Sequence, residues 1–217
     1  FIGQPNTGKS TFFNRVTNAT AGVANWPGLT VDLMSAELTK DDKTIEFVDL
    51  PGIYDLDGFT EDEKVVQDFL QRESIDLIVC VINASQIDRQ IMMPLQIKNL
   101  GLPCLVVLNM ADEVKRFGVK INTAQLSEHL GMPVFTISAK YGSGCGIAID
   151  GIWKTVNQLE DSYKVVELVQ CCRANRITEA DMKNAMDHGI VMPPTNLVTF
   201  TNRMDAVLLH PIFGLPI

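Results

Sequence analysis

A glycine-framed loop near the start of the chain, Gly3-Gln4-Pro5-Asn6-Thr7-Gly8-Lys9-Ser10, limits the possible folds more than any other feature. Glycines at either end of a four-residue span let backbone N–H groups curl around an anion, and a helix opening at Lys9 adds the partial positive charge of its amino end. Lys9 is placed to hold the β- and γ-phosphates of a nucleotide, and the Ser10 hydroxyl to ligate Mg²⁺, with Thr7 and Thr11 completing the cradle. Such a loop hangs between a buried strand and a helix, which points to α/β architecture. The plain alternative is a glycine turn with a chance lysine, which this loop alone does not exclude.

Hydrophobic period along the chain agrees with α/β architecture. Helices are predicted over Lys9 to Asn18, Glu61 to Arg72, Arg89 to Leu100, Thr123 to Leu130 and about Ile147 to Leu159. Strands are predicted over Thr30 to Lys40 and Thr44 to Val48, joined by an Asp41-Asp42 turn, and over the apolar runs Leu77 to Ile82, Cys104 to Leu108 and Val134 to Ile137. With the glycine loop, the expected fold class is an α/β P-loop NTPase: a mainly parallel six-stranded sheet, helices on both faces and a short helical C-terminal extension. Residues 1–159 form the main domain, with its first strand cut down to Phe1 and Ile2. Residues 160–200 form the extension, with helices at Tyr163 to Arg173 and Thr178 to Asp187 and a break over Gly189 to Pro194. The apolar stretch 201–217 ends abruptly, and both ends read as those of a fragment.

The net charge of −8 repels nucleic acid phosphates, so neither RNA nor DNA is expected as a partner. Five cysteines, with Cys80 and Cys104 in apolar runs and Cys171 beside Cys172, fit neither a disulfide framework nor paired metal spacing.

In a parallel sheet, ligands bind where strands end and loops collect, and three further motifs fall there. Asp49-Leu50-Pro51-Gly52 offers a carboxylate to hold Mg²⁺ through water and a Gly52 N–H to meet the γ-phosphate. In Asn109-Met110-Ala111-Asp112, the Asp112 carboxylate can accept N1–H and the exocyclic amine of guanine, donors that adenine lacks, while Asn109 braces neighbouring loops. In Ser138-Ala139-Lys140, a backbone N–H can meet guanine O6. Each alone could be an ordinary loop; taken in order, they imply guanine specificity. These motifs resemble the translation-factor class of small GTPases, in which a lysine usually stands where this chain has Met110, and weaker or faster-exchanging nucleotide binding is the expected consequence.

Where many regulatory GTPases carry a glutamine that orients the attacking water, this chain has Ile53. No arginine finger is evident in the first switch, and Arg15 reads as structural. Glu61 and Glu63 read as solvated helix-start residues. Thr30 is the candidate switch threonine for Mg²⁺ and γ-phosphate. Trp26, in Asn25-Trp26-Pro27-Gly28-Leu29-Thr30-Val31, is either an exposed element of a mobile loop or the residue that packs that loop down.

This peptide, with Gly-x-Pro-Asn-x-Gly-Lys, Asp-Leu-Pro-Gly-Ile-Tyr-Asp-Leu and the Asn109-Met110-Ala111-Asp112 form, resembles the FeoB family of ferrous iron transport proteins. Thr201 to Ile217 resembles the stretch that leads into that family's first membrane helix. The resemblance implies a Mg²⁺-dependent GTPase on the cytoplasmic face of the bacterial inner membrane, attached to a polytopic membrane domain that carries Fe(II), and it leaves room for a homo-oligomer. It further implies K⁺ stimulation, with K⁺ held by Asn6 and by the carbonyls of Asn25 and Trp26. Lys9, Asn6, Thr30 and Gly52 are then the catalytic candidates. Gly3, Asn6, Thr7, Gly8, Lys9, Ser10, Thr11, Asp49, Gly52, Asn109, Asp112, Ser138, Ala139 and Lys140 are the nucleotide-binding set. Ser10, Thr30 and Asp49 are the Mg²⁺ set. Residues 160–200 are short for the helical spacer such proteins carry. Two rivals remain: a soluble GTPase of ribosome assembly or tRNA modification, which predicts a basic appendage, and a nucleotide sensor too slow to act as an enzyme, which Ile53 permits.

Overall fold

A computed structural model of the chain describes residues 1–26, 29, 31–116, 119–159, 163, 165, 168–187 and 189–191. In chain order the strands are β1 (Gly22–Ala24), β2 (Leu33–Lys40), β3 (Lys43–Asp49), β4 (Ile78–Asn83), β5 (Cys104–Asn109), β6 (Lys120–Ile121), β7 (Val134–Thr136) and β8 (Ile190–Val191). The helices are α1 (Lys9–Val16), α2 (Glu61–Arg72), α3 (Ile87–Gln90), α4 (Met92–Asn99), α5 (Ala111–Arg116), α6 (Thr123–Leu130), α7 (Cys145–Gln158), α8 (Leu168–Ala174) and α9 (Glu179–Asp187).

The sheet is held together at its middle by two residues. β1, β2 and β3 form an antiparallel ladder, and β4, β5 and β7 a parallel one. Phe1 and Ile2 join them. The Phe1 backbone donates to Val48 at 2.6 Å and accepts from Leu50 at 3.2 Å, while Ile2 donates to Val79 at 3.0 Å and accepts from Val81 at 2.8 Å. The order is therefore β1-β2-β3-(Phe1–Ile2)-β4-β5-β7. The six expected strands are present, with β1 as a further short edge strand. β2 turns into β3 through Asp41 and Asp42, whose φ values of 51° and 62° meet the positive-φ requirement of a tight type I′ hairpin.

Every residue of β4 and β5 is buried, as a central strand with helices on both faces requires. Alternate side chains enter two separate cores. Val79, Val81, Leu105 and Val107 face Phe12, Phe13 and Val16 of α1 and Ile152 and Trp153 of α7. Cys80, Ile82, Val106 and Leu108 face the core built by α2, α4, α6 and α8. Burial pushes the Cys80 thiol up to about 12, so it behaves there as a small apolar side chain.

Two helix expectations change, and one helix is added. Arg89 to Leu100 is two helices, because Pro94 has no N–H to give to the Gln90 carbonyl and so sits in the first turn of α4. Among the described residues of Tyr163 to Arg173, those from Leu168 onward are helical, while Tyr163 pairs with Ile75 through reciprocal 2.7 Å backbone bonds. α5 opens at Ala111, inside the Asn109 motif, and is a helix beyond those expected. The break over Gly189 to Pro194 also begins with an ordered residue pair: β8 lies antiparallel to β6.

In the extension, Leu168 and Cys172 of α8 and Ala185 of α9 belong to the core shared with α2 and α6, and Thr178 caps α9 by exchanging bonds with Asp181. Among the described residues no helix is long and apolar enough to cross a membrane.

Candidate functional site

The four motifs converge at the carboxyl ends of the parallel strands. Ile2 delivers the glycine loop, β3 ends at Asp49, β5 ends at Asn109, and β7 leads through Ile137 to Ser138. Loop and helix meet at Gly8, whose φ of 78° is a left-handed conformation that suits glycine. A Cβ there would lie 2.3 Å from the Asn109 amide nitrogen. Asn6 is also left-handed, at φ 63°, which asparagine tolerates better than most residues. Asn6, Gly8, Lys9, Ser10, Thr11 and Gly52 line a cleft of about 380 Å³ over the amino end of α1. A second hollow of about 300 Å³ lies between Phe1, Trp26, Phe69 and Val156 and includes none of the glycine-loop, Asn109 or Ser138 motif residues.

Asn109 is the hub of the site. It is 3 % exposed. Its amide Nδ2 donates to the Thr7 carbonyl of the glycine loop at 2.8 Å, and its Oδ1 accepts from the Ala139 N–H at 2.8 Å. One side chain thus locks the phosphate-type loop to the base-type loop, the bracing role expected of it. Within the glycine loop, the Thr7 hydroxyl donates to the Gln4 carbonyl at 2.9 Å. Asp112 lies in the first turn of α5, which opens after Met110 at a left-handed φ of 63°.

Lys9 is buried and reaches across to β3. Its ammonium pairs with the Asp49 carboxylate and also donates to the Leu50 carbonyl. Gly52 packs on Pro5, where a Cβ would sit 3.1 Å from the Pro5 Cα, and the Ile53 N–H donates to the Gly3 carbonyl at 3.1 Å. The Asp49 and Gly3 motifs are therefore one bonded unit. Ile53 is 1 % exposed and belongs to the core, so its side chain does not face the cleft.

In the base-type loop, the Ser138 N–H bonds to the Ser143 carbonyl at 2.9 Å and the Ala139 N–H to Asn109. Of the three N–H groups considered for guanine O6, that of Lys140 makes no bond to a described residue. Arg15 on α1 reaches this loop as well, with Nε on the Ala139 carbonyl and Nη2 on the Lys140 carbonyl at 2.9 Å.

Glu63 is a correction. It is not a solvated helix-start residue but 6 % exposed, and it forms a capping box with Thr60: the Thr60 N–H donates to Oε2 at 2.9 Å and the Glu63 N–H to the Thr60 hydroxyl at 3.3 Å. Burial alone would push its carboxyl up, but bonds from Thr60 and from the Asp55 and Tyr54 backbone outweigh it and hold it below the ordinary glutamate range. A Cβ at Gly58 would come within 2.0 Å of the same carboxylate. Glu63 thereby shapes the loop that follows Gly52. The Thr-x-x-Glu spacing over Thr60 to Glu63 is the sequence signature of such a cap. Glu61 is exposed, as expected.

Trp26 packs the first-switch loop down. Its ring meets Phe69 of α2 edge-on at 4.9 Å, and its carbonyl accepts from Leu29 at 3.1 Å. Thr30, with Pro27 and Gly28, lies outside the described residues, as does 192–217, which includes the apolar stretch.

A phosphate-type loop feeding a helix, an acidic strand end bonded to it and an asparagine-braced third loop define a P-loop domain of the small-GTPase class. The family profile described as "Ferrous iron transport protein B" matches residues 1–152. The Fe(2+) transporter FeoB of Synechocystis sp. is 54 % identical over 217 residues, covering all of this chain and 35 % of that protein. That of Helicobacter pylori strain 26695 is 40 % identical over 219 residues, covering 99 % of this chain and 34 % of that protein. The cytosolic domain of the T. maritima FeoB iron transporter in a GDP form superposes with a TM-score of 0.66 at 30 % identity, over 75 % of this chain and 64 % of that one. This chain belongs to the ferrous iron transport protein B family, and it spans about a third of the length of the curated relatives it matches.

Proposed function

We propose that this chain binds guanine nucleotide at the Gly3–Ser10 cleft and hydrolyses GTP to GDP and phosphate, as the G domain of a transporter whose membrane part carries Fe(II). The observation that carries the reading is the pair of 2.8 Å bonds by which Asn109 ties Thr7 to Ala139, since a domain that recognised only phosphate would need no such link between its phosphate loop and a base-facing loop. Family membership and relatives solved with GDP support the same reading. The rest of the transporter, its Fe(II), its placement at the cytoplasmic face of the inner membrane and any homo-oligomer belong to this proposal, with residues 1–159 as the G domain and 160–200 as a short spacer.

Roles follow from position. The glycine-loop N–H groups and Lys9 hold phosphates, Gly52 offers an N–H to the terminal one, and Asp112 selects guanine. Lys140 N–H is the donor left for O6. The hydroxyl of Ser10, the Asp49 carboxylate and the expected Thr30 are hard oxygen donors of the kind Mg²⁺ takes, and the neutral Asn6 amide oxygen suits K⁺. When bound, these cations supply positive charge beside the phosphates, which an arginine supplies in other GTPases. Ile53 is buried and contributes no water-orienting group, so the chain's own share of catalysis is binding and orientation.

Phosphate release from GTP is the test. Turnover in Mg²⁺ with K⁺ is expected to exceed that with Na⁺, and the difference to vanish in Asn6→Ala. Equal turnover in both salts would remove K⁺ and Asn6 from the scheme, and no turnover in either would leave a nucleotide sensor.

A further inference from the structure

We infer that Arg15 is a positioning residue that aims the base-facing loop and so sets how long bound guanine nucleotide stays. This rests on the guanine reading above and concerns the regulation of that same site.

Arg15 lies in the last turn of α1, where the helix's carboxyl end favours a cation. Its guanidinium spans two successive carbonyls, Nε on Ala139 and Nη2 on Lys140 at 2.9 Å. The planar fork holds both at a fixed separation, which a single ammonium cannot do. Gly142, at φ 77°, makes room: a Cβ there would lie 3.1 Å from Nη1.

The consequence comes from the planarity of the peptide that links Ala139 to Lys140. In a trans peptide the carbonyl oxygen and the N–H point in opposite directions. Arg15 holds the Ala139 carbonyl, so it also fixes the direction of the Lys140 N–H, the donor that makes no bond to a described residue. On the other side, the Ala139 N–H is held by Asn109. Asn109 and Arg15 therefore hold consecutive peptides of one loop, the first from β5 and the second from α1. Because α1 also begins at the phosphate loop, Arg15 links phosphate end and base end through one rigid helix.

The test compares dissociation of fluorescent GDP with that of fluorescent 6-thio-GDP, which keeps both donors for Asp112 but replaces O6 by a weakly accepting sulfur. In the 217-residue chain GDP is expected to leave more slowly. In Arg15→Met, GDP dissociation is expected to accelerate about tenfold and 6-thio-GDP less than about twofold, so the two rates converge. Arg15→Lys keeps charge and stem without the fork and is expected to fall between; it carries the same comparison if Arg15→Met fails to fold. An unchanged GDP rate, or equal acceleration of both nucleotides, would overturn the proposal, the latter by showing a merely structural role. Failure of the unsubstituted chain to bind either nucleotide would overturn the guanine reading itself, and the proposal with it.

Discussion

The Asn109 side chain donates to the backbone carbonyl of Thr7 at 2.8 Å, across 102 residues of sequence, and so ties the end of the central strand β5 to the glycine loop. That contact places two loops of different chemistry in one rigid frame. Because Asn109 is buried and bonded at both ends of its amide, it has little freedom to be replaced.

Asn109→Ala removes both bonds and leaves the Thr7 carbonyl and the Ala139 N–H without their partner. Such losses typically cost about 1–3 kcal/mol each when the groups stay buried. The expected outcome is a fall in unfolding free energy of a few kcal/mol, together with at least about a tenfold loss of GTP affinity. Denaturant titration and calorimetry of the same variant check the two.

The Lys9–Asp49 pair separates binding from stability. Both side chains are 8 % exposed, and removing one partner of a buried ion pair leaves the other uncompensated, at about 3–5 kcal/mol. Lys9→Ala and Asp49→Ala should each destabilise the fold, and the double variant by clearly less than their sum. Stability should recover in the double variant while GTP binding stays lost. Additive destabilisation would show that the pair is not coupled.

Glu63 makes a pH prediction. Its folded carboxyl titrates below its ordinary range, so the ionised form is favoured by folding. The stability it adds is present above the unfolded glutamate range, about 4.3, and is lost as pH falls through the lower folded value. Urea unfolding of the chain should therefore weaken more steeply between neutral pH and pH about 3 than that of Glu63→Gln. Parallel profiles would remove the carboxylate from the account.

Much of the site was legible in the sequence because its chemistry is local. Gly3 to Ser10 and the Asp49, Asn109 and Ser138 motifs each sit at the end of an apolar run, and their order along the chain is enough to place them side by side. The cap at Thr60 was legible but overshadowed by the acidic residues after it. Other features carry no local signal. Arg15 looks like any exposed helix arginine until β7 brings Ala139 against α1, and the 2-residue β6–β8 pair is too short to show a period. Trp26 was evenly balanced, because nothing near it in sequence reveals Phe69.

The central claim is that these loops form a site for guanine, and equilibrium binding tests it most directly. Calorimetry with GTP and ATP in Mg²⁺ should give a clear preference for GTP, and Asp112→Ala should abolish tight binding of GTP while leaving the fold intact. Equal affinity for the two nucleotides, or an Asp112→Ala variant that binds GTP as tightly as the unsubstituted chain, would contradict it.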